Sequence, residues 1–241
     1  QLSGYVLIIG VVYFSKKPMN LVWFGVIVMA TLLVSVKSAS RGPLISSILT
    51  LSIIVPMLWR TMSFTKILKL FVVIFIFIFI AYIIFQQVAE QSDRWTIGEM
   101  SSDTVARFDA AFKLLSKWIE SPISIVFGLG NSSSFSNSII GIYPHMVPLE
   151  ILGEEGLIGF TLFLLIIYYV INSSVKLQKR KDLTDDQRKV FLANLGCWIF
   201  SMLISLKQGS LITSDFIFLF AALHERIVVL INHSTAKKIR I

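Results

Sequence analysis

Two arginines, one histidine and three glutamates are the residues of this chain whose types and positions could do chemistry: Arg41, Arg107, His145, Glu150, Glu154 and Glu155. A guanidinium is always charged and presents a planar fork of donors that matches two oxygens of a phosphate. Arg41, in SASRGP, and Arg107, in ARFDAAFKLL, could each hold such a group. An imidazole titrates near neutrality and can take a proton from a hydroxyl. His145 sits between Pro144 and Pro148, which stiffen its backbone. Glu150 and Glu154 are four residues apart and share a helix face, and Glu150 could orient His145 or pair with an arginine. Each residue also has a plainer reading, and taken one at a time the plainer readings are the stronger. Arg41 could snorkel to lipid headgroups, Arg107 could be a solvated or ion-paired surface arginine, His145 an ordinary loop histidine, and the glutamates could face headgroup water. No ligand set with metal spacing is visible, so no metal site is expected. The run FGLGNSSSFSNS lacks a lysine at P-loop spacing, which argues against a phosphate cradle there.

The elements that must position these residues are hydrophobic. The chain is 55% hydrophobic and 15% charged, with mean hydropathy +0.79; a soluble domain carries about a quarter charged residues. The apolar residues fall in long runs, which predicts an all-α, polytopic transmembrane helical bundle. The chain opens at Gln1 inside an apolar run and reads as the C-terminal part of a longer protein. Spans are predicted over residues 3–14 (truncated), 20–36, 43–59, 67–87, 157–171, 190–206 and 211–231. The organisation is thus transmembrane helices over 1–87, a long polar loop over 88–146, and transmembrane helices over 147–241 with a polar loop at 172–189 and a basic tail. The 157–171 run would cover only about 22 Å of a roughly 30 Å core. It should therefore borrow residues from its N-terminal side, drawing Glu150, Glu154 and Glu155 toward the membrane surface.

Charge predicts the orientation. Net charge is +8, and lysines and arginines concentrate in alternate loops, so a positive-inside bias accounts for them better than nucleic-acid binding does. Residues 38–43, 88–146 and 207–210 then face away from the cytoplasm. Within 88–146 one amphipathic helix is expected over about 103–120, with Asp103 or Ser102 at its start and Pro122 beyond its end. Phe108, Ala111, Leu114, Leu115, Trp118 and Ile119 form its apolar face, flanked by Arg107. His224 and His233 fall near the cytoplasmic end of the last span. The single cysteine, Cys197, reads as a small buried apolar side chain.

The order of three motifs resembles the C-terminal half of the O-antigen polymerase and ligase family of bacterial envelope glycosyltransferases. The motifs are SASRGP between two spans, RFDAAFKLL on a loop helix before a proline and a G-x-G, and YPHMVPLEILGEEGLIG running into a span. The resemblance covers roughly residues 36–170. It departs at Met146, where the family usually has Asn after the histidine. The resemblance implies a multi-pass protein of the bacterial inner membrane with a periplasmic active site. The donor would be an undecaprenyl-diphosphate-linked glycan, the acceptor a sugar hydroxyl of an acceptor glycan, with no cofactor, no metal and no nucleic acid. A chain-length regulator would be a further partner. Carried over by position, Arg41 and Arg107 would bind the diphosphate and stabilise the leaving group. His145 would orient or deprotonate the acceptor hydroxyl for an inverting attack, and Tyr143 and Glu150 would help to bind substrate. A polymerase joining lipid-linked repeat units is the first reading, and a ligase transferring finished polysaccharide to a lipid A core is the alternative. A polysaccharide or lipid transporter without covalent chemistry is the third; its usual signs, internal repeats and mid-span charges, are not conspicuous here.

Overall fold

The computed structural model describes residues 1–14, 26, 30–31, 34, 41–59, 79, 97–207, 210–211 and 214–239. Most of the predicted spans 20–36 and 67–87, and the loops around 15–19 and 60–66, lie outside the described residues. Among those described, every α or β element is a helix. They are α1 (Leu2–Phe14), α2 (Arg41–Trp59), α3 (Ile97–Trp118), α4 (Pro122–Phe127), α5 (Val147–Lys179), α6 (Asp185–Ser205) and α7 (Asp215–Ile239), with a 3-10 turn at Ser133–Phe135.

Among the described residues, three helices are long and apolar enough to cross a membrane: Val147–Lys179, Asp185–Ser205 and Asp215–Ser234. Two shorter apolar helices cover Leu2–Tyr13 and Gly42–Leu58. These features are compatible with a membrane protein. Exposed Leu162, Leu165, Ile171 and Leu219 give α5 and α7 apolar outer faces, which a lipid environment accommodates and water does not.

The chain divides into two compact units. The first comprises residues 1–95, 178–200 and 226–241. Its core includes an edge-to-face pair, Tyr5 and Phe200, with ring centroids 4.9 Å apart. Its polar turn between α5 and α6 is tied by a fork: Arg180 donates Nε to Asp182 Oδ1 (3.0 Å) and Nη2 to Asp182 Oδ2 (2.6 Å). That carboxylate holds the Arg180 guanidinium further above its usual pKa. Thr184 and Gln187 then bond reciprocally, Gln187 N to Thr184 Oγ1 (3.2 Å) and Thr184 N to Gln187 Oε1 (2.9 Å). This is a capping box, and it satisfies two orphan donors where α6 begins.

The second unit comprises residues 96–177 and 201–225. Val147, Ile151, Phe163 and Ile217 form a buried cluster. Helix α5 departs from helical geometry at Gly156 (φ 66°, ψ −164°). Beyond that point it runs to Lys179, through residues 172–179 that the sequence reading places in a loop. Ser173 returns its hydroxyl to Tyr169 O (2.7 Å) and Leu177 is buried, so this polar stretch is helical and packed. The 23 residues after Gly156 reach about 35 Å. The helix thus extends past the apolar 157–171 run on both sides, from Val147 to Lys179.

Candidate functional site

Four of the predicted site residues lie in the second unit, and its helices set where each stands. Helix α3 begins at Ile97, earlier than the expected start near 103; no proline interrupts 97–118. Ala110, Ala111 and Leu114 on this helix are buried. Leu114 lies against Gly153 of α5, where a Cβ would come within 2.6 Å of the leucine side chain. Arg107 sits two turns before Leu114 on the same side of the helix. Its Nη1 donates to the carbonyl of Lys207. After Trp118 the chain turns, and Ser121 caps α4 by accepting from Ile123 N (3.2 Å), with Pro122 in the first turn.

The two glutamates at i and i+4 are fully enclosed, at 0% exposure for Glu150 and 1% for Glu154. The expectation that they face headgroup water is corrected here: backbone donors replace the water. Glu154 accepts from Ser132 N through Oε2 (2.8 Å) and from Ser134 N through Oε1 (3.0 Å). Backbone bonds extend this clip, Leu129 N to Gly153 O and Gly130 N to Glu154 O, both 2.9 Å. The contact is so close that Gly128 (φ 82°) has no room for a side chain; a Cβ there would lie 2.0 Å from Glu154 O. At Gly156 a Cβ would lie 2.4 Å from Gly128 N. The G-x-G of the loop and the kink glycine of α5 are thus one packing feature.

Glu150 uses Oε2 to accept from Leu211 N (3.0 Å). Its Oε1 is buried with no hydrogen-bond partner among the described residues. Arg107 and Glu150 therefore anchor on one connecting segment, at Lys207 and Leu211 between α6 and α7. The sequence reading treated that segment only as a short turn.

His145 has a left-handed backbone, φ 58°, unusual for a residue with a side chain. Its ring packs on Tyr143, with centroids 4.1 Å apart and planes at 55°. Tyr143 in turn meets Phe135 at 5.9 Å. Both His145 and Tyr143 are half-buried. Met146 follows at the N-cap of α5, where its carbonyl accepts from Leu149 N and Glu150 N, each 3.0 Å. Asn is among the best N-cap residues and a hydrophobic side chain among the poorest.

Arg41 opens α2 in the first unit, and Arg107 and His145 lie in the second. Glu155 is partly exposed on α5, one residue before the kink. His224, placed by the sequence near the cytoplasmic end of the last span, is given no role there. It is fully buried in the second unit, with Nε2 at 2.8 Å from Ser173 Oγ and 3.4 Å from Ser174 Oγ. The adjacent serines at 173–174 were the available signal. Among the described residues no group of three or more His, Cys, Asp or Glu could hold a metal ion. Set against known proteins, the chain matches no family model, no curated protein and no solved structure.

Proposed function

We propose that this chain is part of a membrane glycosyltransferase that joins undecaprenyl-diphosphate-linked repeat units into a surface polysaccharide. The observation that best supports the reading is the construction of the second unit. Arg107 and Glu150 anchor on one short segment, and His145 stands at the entrance to α5 with its ring against Tyr143.

In the proposed reaction the acceptor hydroxyl attacks the anomeric carbon of the donor sugar. The new glycosidic C–O bond forms as the bond from that carbon to the diphosphate oxygen breaks, and the diphosphate leaves with the electron pair. The hydroxyl proton passes to His145. Arg107 neutralises charge that grows on the leaving diphosphate, the kind of preorganised stabilisation that most lowers such barriers. The family resemblance gives Arg41 a diphosphate-binding role as well. The site would face the periplasm, as the distribution of basic loops suggests.

The test is transfer by purified protein, including any chain that precedes residue 1, from a lipid-diphosphate oligosaccharide. His145→Ala and Arg107→Ala should lose product while still folding and inserting. Arg41→Lys should also lose activity, because a lysine cannot make the bidentate contact. Normal elongation by His145→Ala would defeat the role given to the histidine. Deleting the gene separates polymerase from ligase: single repeat units on the core indicate the former, long polymer left on the lipid carrier the latter.

A further inference from the structure

Residues 121–146 contain no Lys, Arg, Asp or Glu. In a chain of net charge +8 that is a long neutral surface, and it leads directly to His145. In its middle stands one aromatic ring, Phe135, in the sequence NSSSFSNS. The ring is 45% exposed. It is not a loose side chain on a wandering loop. The residues just before it are fastened to α5 by the Glu154 carboxylate, and its own amide donates to Ser132 O (3.2 Å). From Phe135 a line of rings runs through Tyr143 to His145.

We propose that Phe135, with Tyr143 beside it, is a stacking subsite for a neutral pyranose ring next to His145. A pyranose has two apolar faces of C–H groups and a rim of hydroxyls. The negative face of an aromatic ring suits the former, and serine and asparagine side chains suit the latter. Exposed Ser136, Asn137 and Ser138 beside the fixed Phe135 ring match both demands. A phosphate or other anion would require cationic donors, which this stretch lacks. Immersion of Phe135 in lipid would strip water from its exposed neighbours Asn131, Ser136, Asn137 and Ser138, and a polar group that loses water without a new partner costs free energy. The inference deepens the transfer reading and rests on it for the identity of the ligand: the stacked ring is a sugar of the acceptor.

The test is saturation-transfer NMR on the full protein in nanodiscs, with methyl β-D-glucopyranoside and N-acetylgalactosamine as probes and glycerol as a ring-free polyol. The expected result is transfer to the ring C–H protons of the pyranosides and not to glycerol. Phe135→Ala should raise the half-saturating concentration about tenfold, and Phe135→Trp should restore binding. Because Phe135 is exposed, the alanine variant should melt with the parent, which separates binding from folding. Equal transfer to glycerol, or unchanged binding by Phe135→Ala, overturns the subsite. The glycosyl-transfer assay divides the two ideas. If Phe135→Ala transfers with unchanged acceptor KM, the subsite falls and the reaction stands. Stacking that persists in a protein unable to transfer from any lipid-diphosphate glycan leaves the subsite standing without the reaction.

Discussion

Acidic residues occupy two regions of this molecule on opposite terms. Around the start of α6, Asp182 in the preceding turn and Asp186 in the first helical turn have side chains 46% and 90% exposed and pair with Arg180 and Lys189. At the start of α5, Glu150 and Glu154 are enclosed and bond to backbone amides. Pairs at the surface contribute about 0–1 kcal/mol, because water still reaches the carboxylates. A buried carboxylate has given up its water, so each missing acceptor leaves a backbone donor unsatisfied at about 1–3 kcal/mol. The difference shows where the fold is committed: the turn can vary its charges, whereas the loop-to-α5 junction cannot.

Substitutions should rank accordingly. Gly128→Ala should be the most damaging, since its Cβ would meet backbone at 2.0 Å and φ is positive. We expect a loss of about 3 kcal/mol or more, read as a large drop in melting temperature in detergent. Glu154→Gln should follow at about 2 kcal/mol, because the amide group turns a donor toward one of the two N–H groups that the carboxylate satisfies. Equal melting temperatures for Glu154→Gln and the parent would erase the contrast drawn here. Met146→Asn should act in the opposite direction, stabilising by about 1 kcal/mol through a better N-cap on α5. Asp186→Ala, at an exposed position in the first turn of α6, should change stability by no more than about 0.5 kcal/mol.

What could be read in advance followed from local rules. The helical class, the apolar helices after residue 147, the amphipathic helix bearing Arg107 and the shared face of Glu150 and Glu154 all rest on spacing along the chain. The capping box at Thr184 and Gln187 was equally local and open to the same reading. The partners were not. Glu154 meets amides at 132 and 134, Glu150 meets one at 211, and Arg107 meets a carbonyl at 207. No periodicity encodes a contact across 20 to 100 positions. The length of α5 was misjudged for a related reason, since hydropathy marks Ser173 and Ser174 as polar while their hydroxyls bond within the protein.

The most direct test of the account is glycosyl transfer by purified protein, with any N-terminal chain present, supplied with an undecaprenyl-diphosphate oligosaccharide. The parent should lengthen the glycan and release the lipid diphosphate. His145→Ala and Arg107→Ala, melting like the parent, should each lose at least about a hundredfold in rate, the scale of a missing general base or charge-stabilising donor. A parent that releases no lipid diphosphate, or variants that elongate at the parental rate, would contradict it.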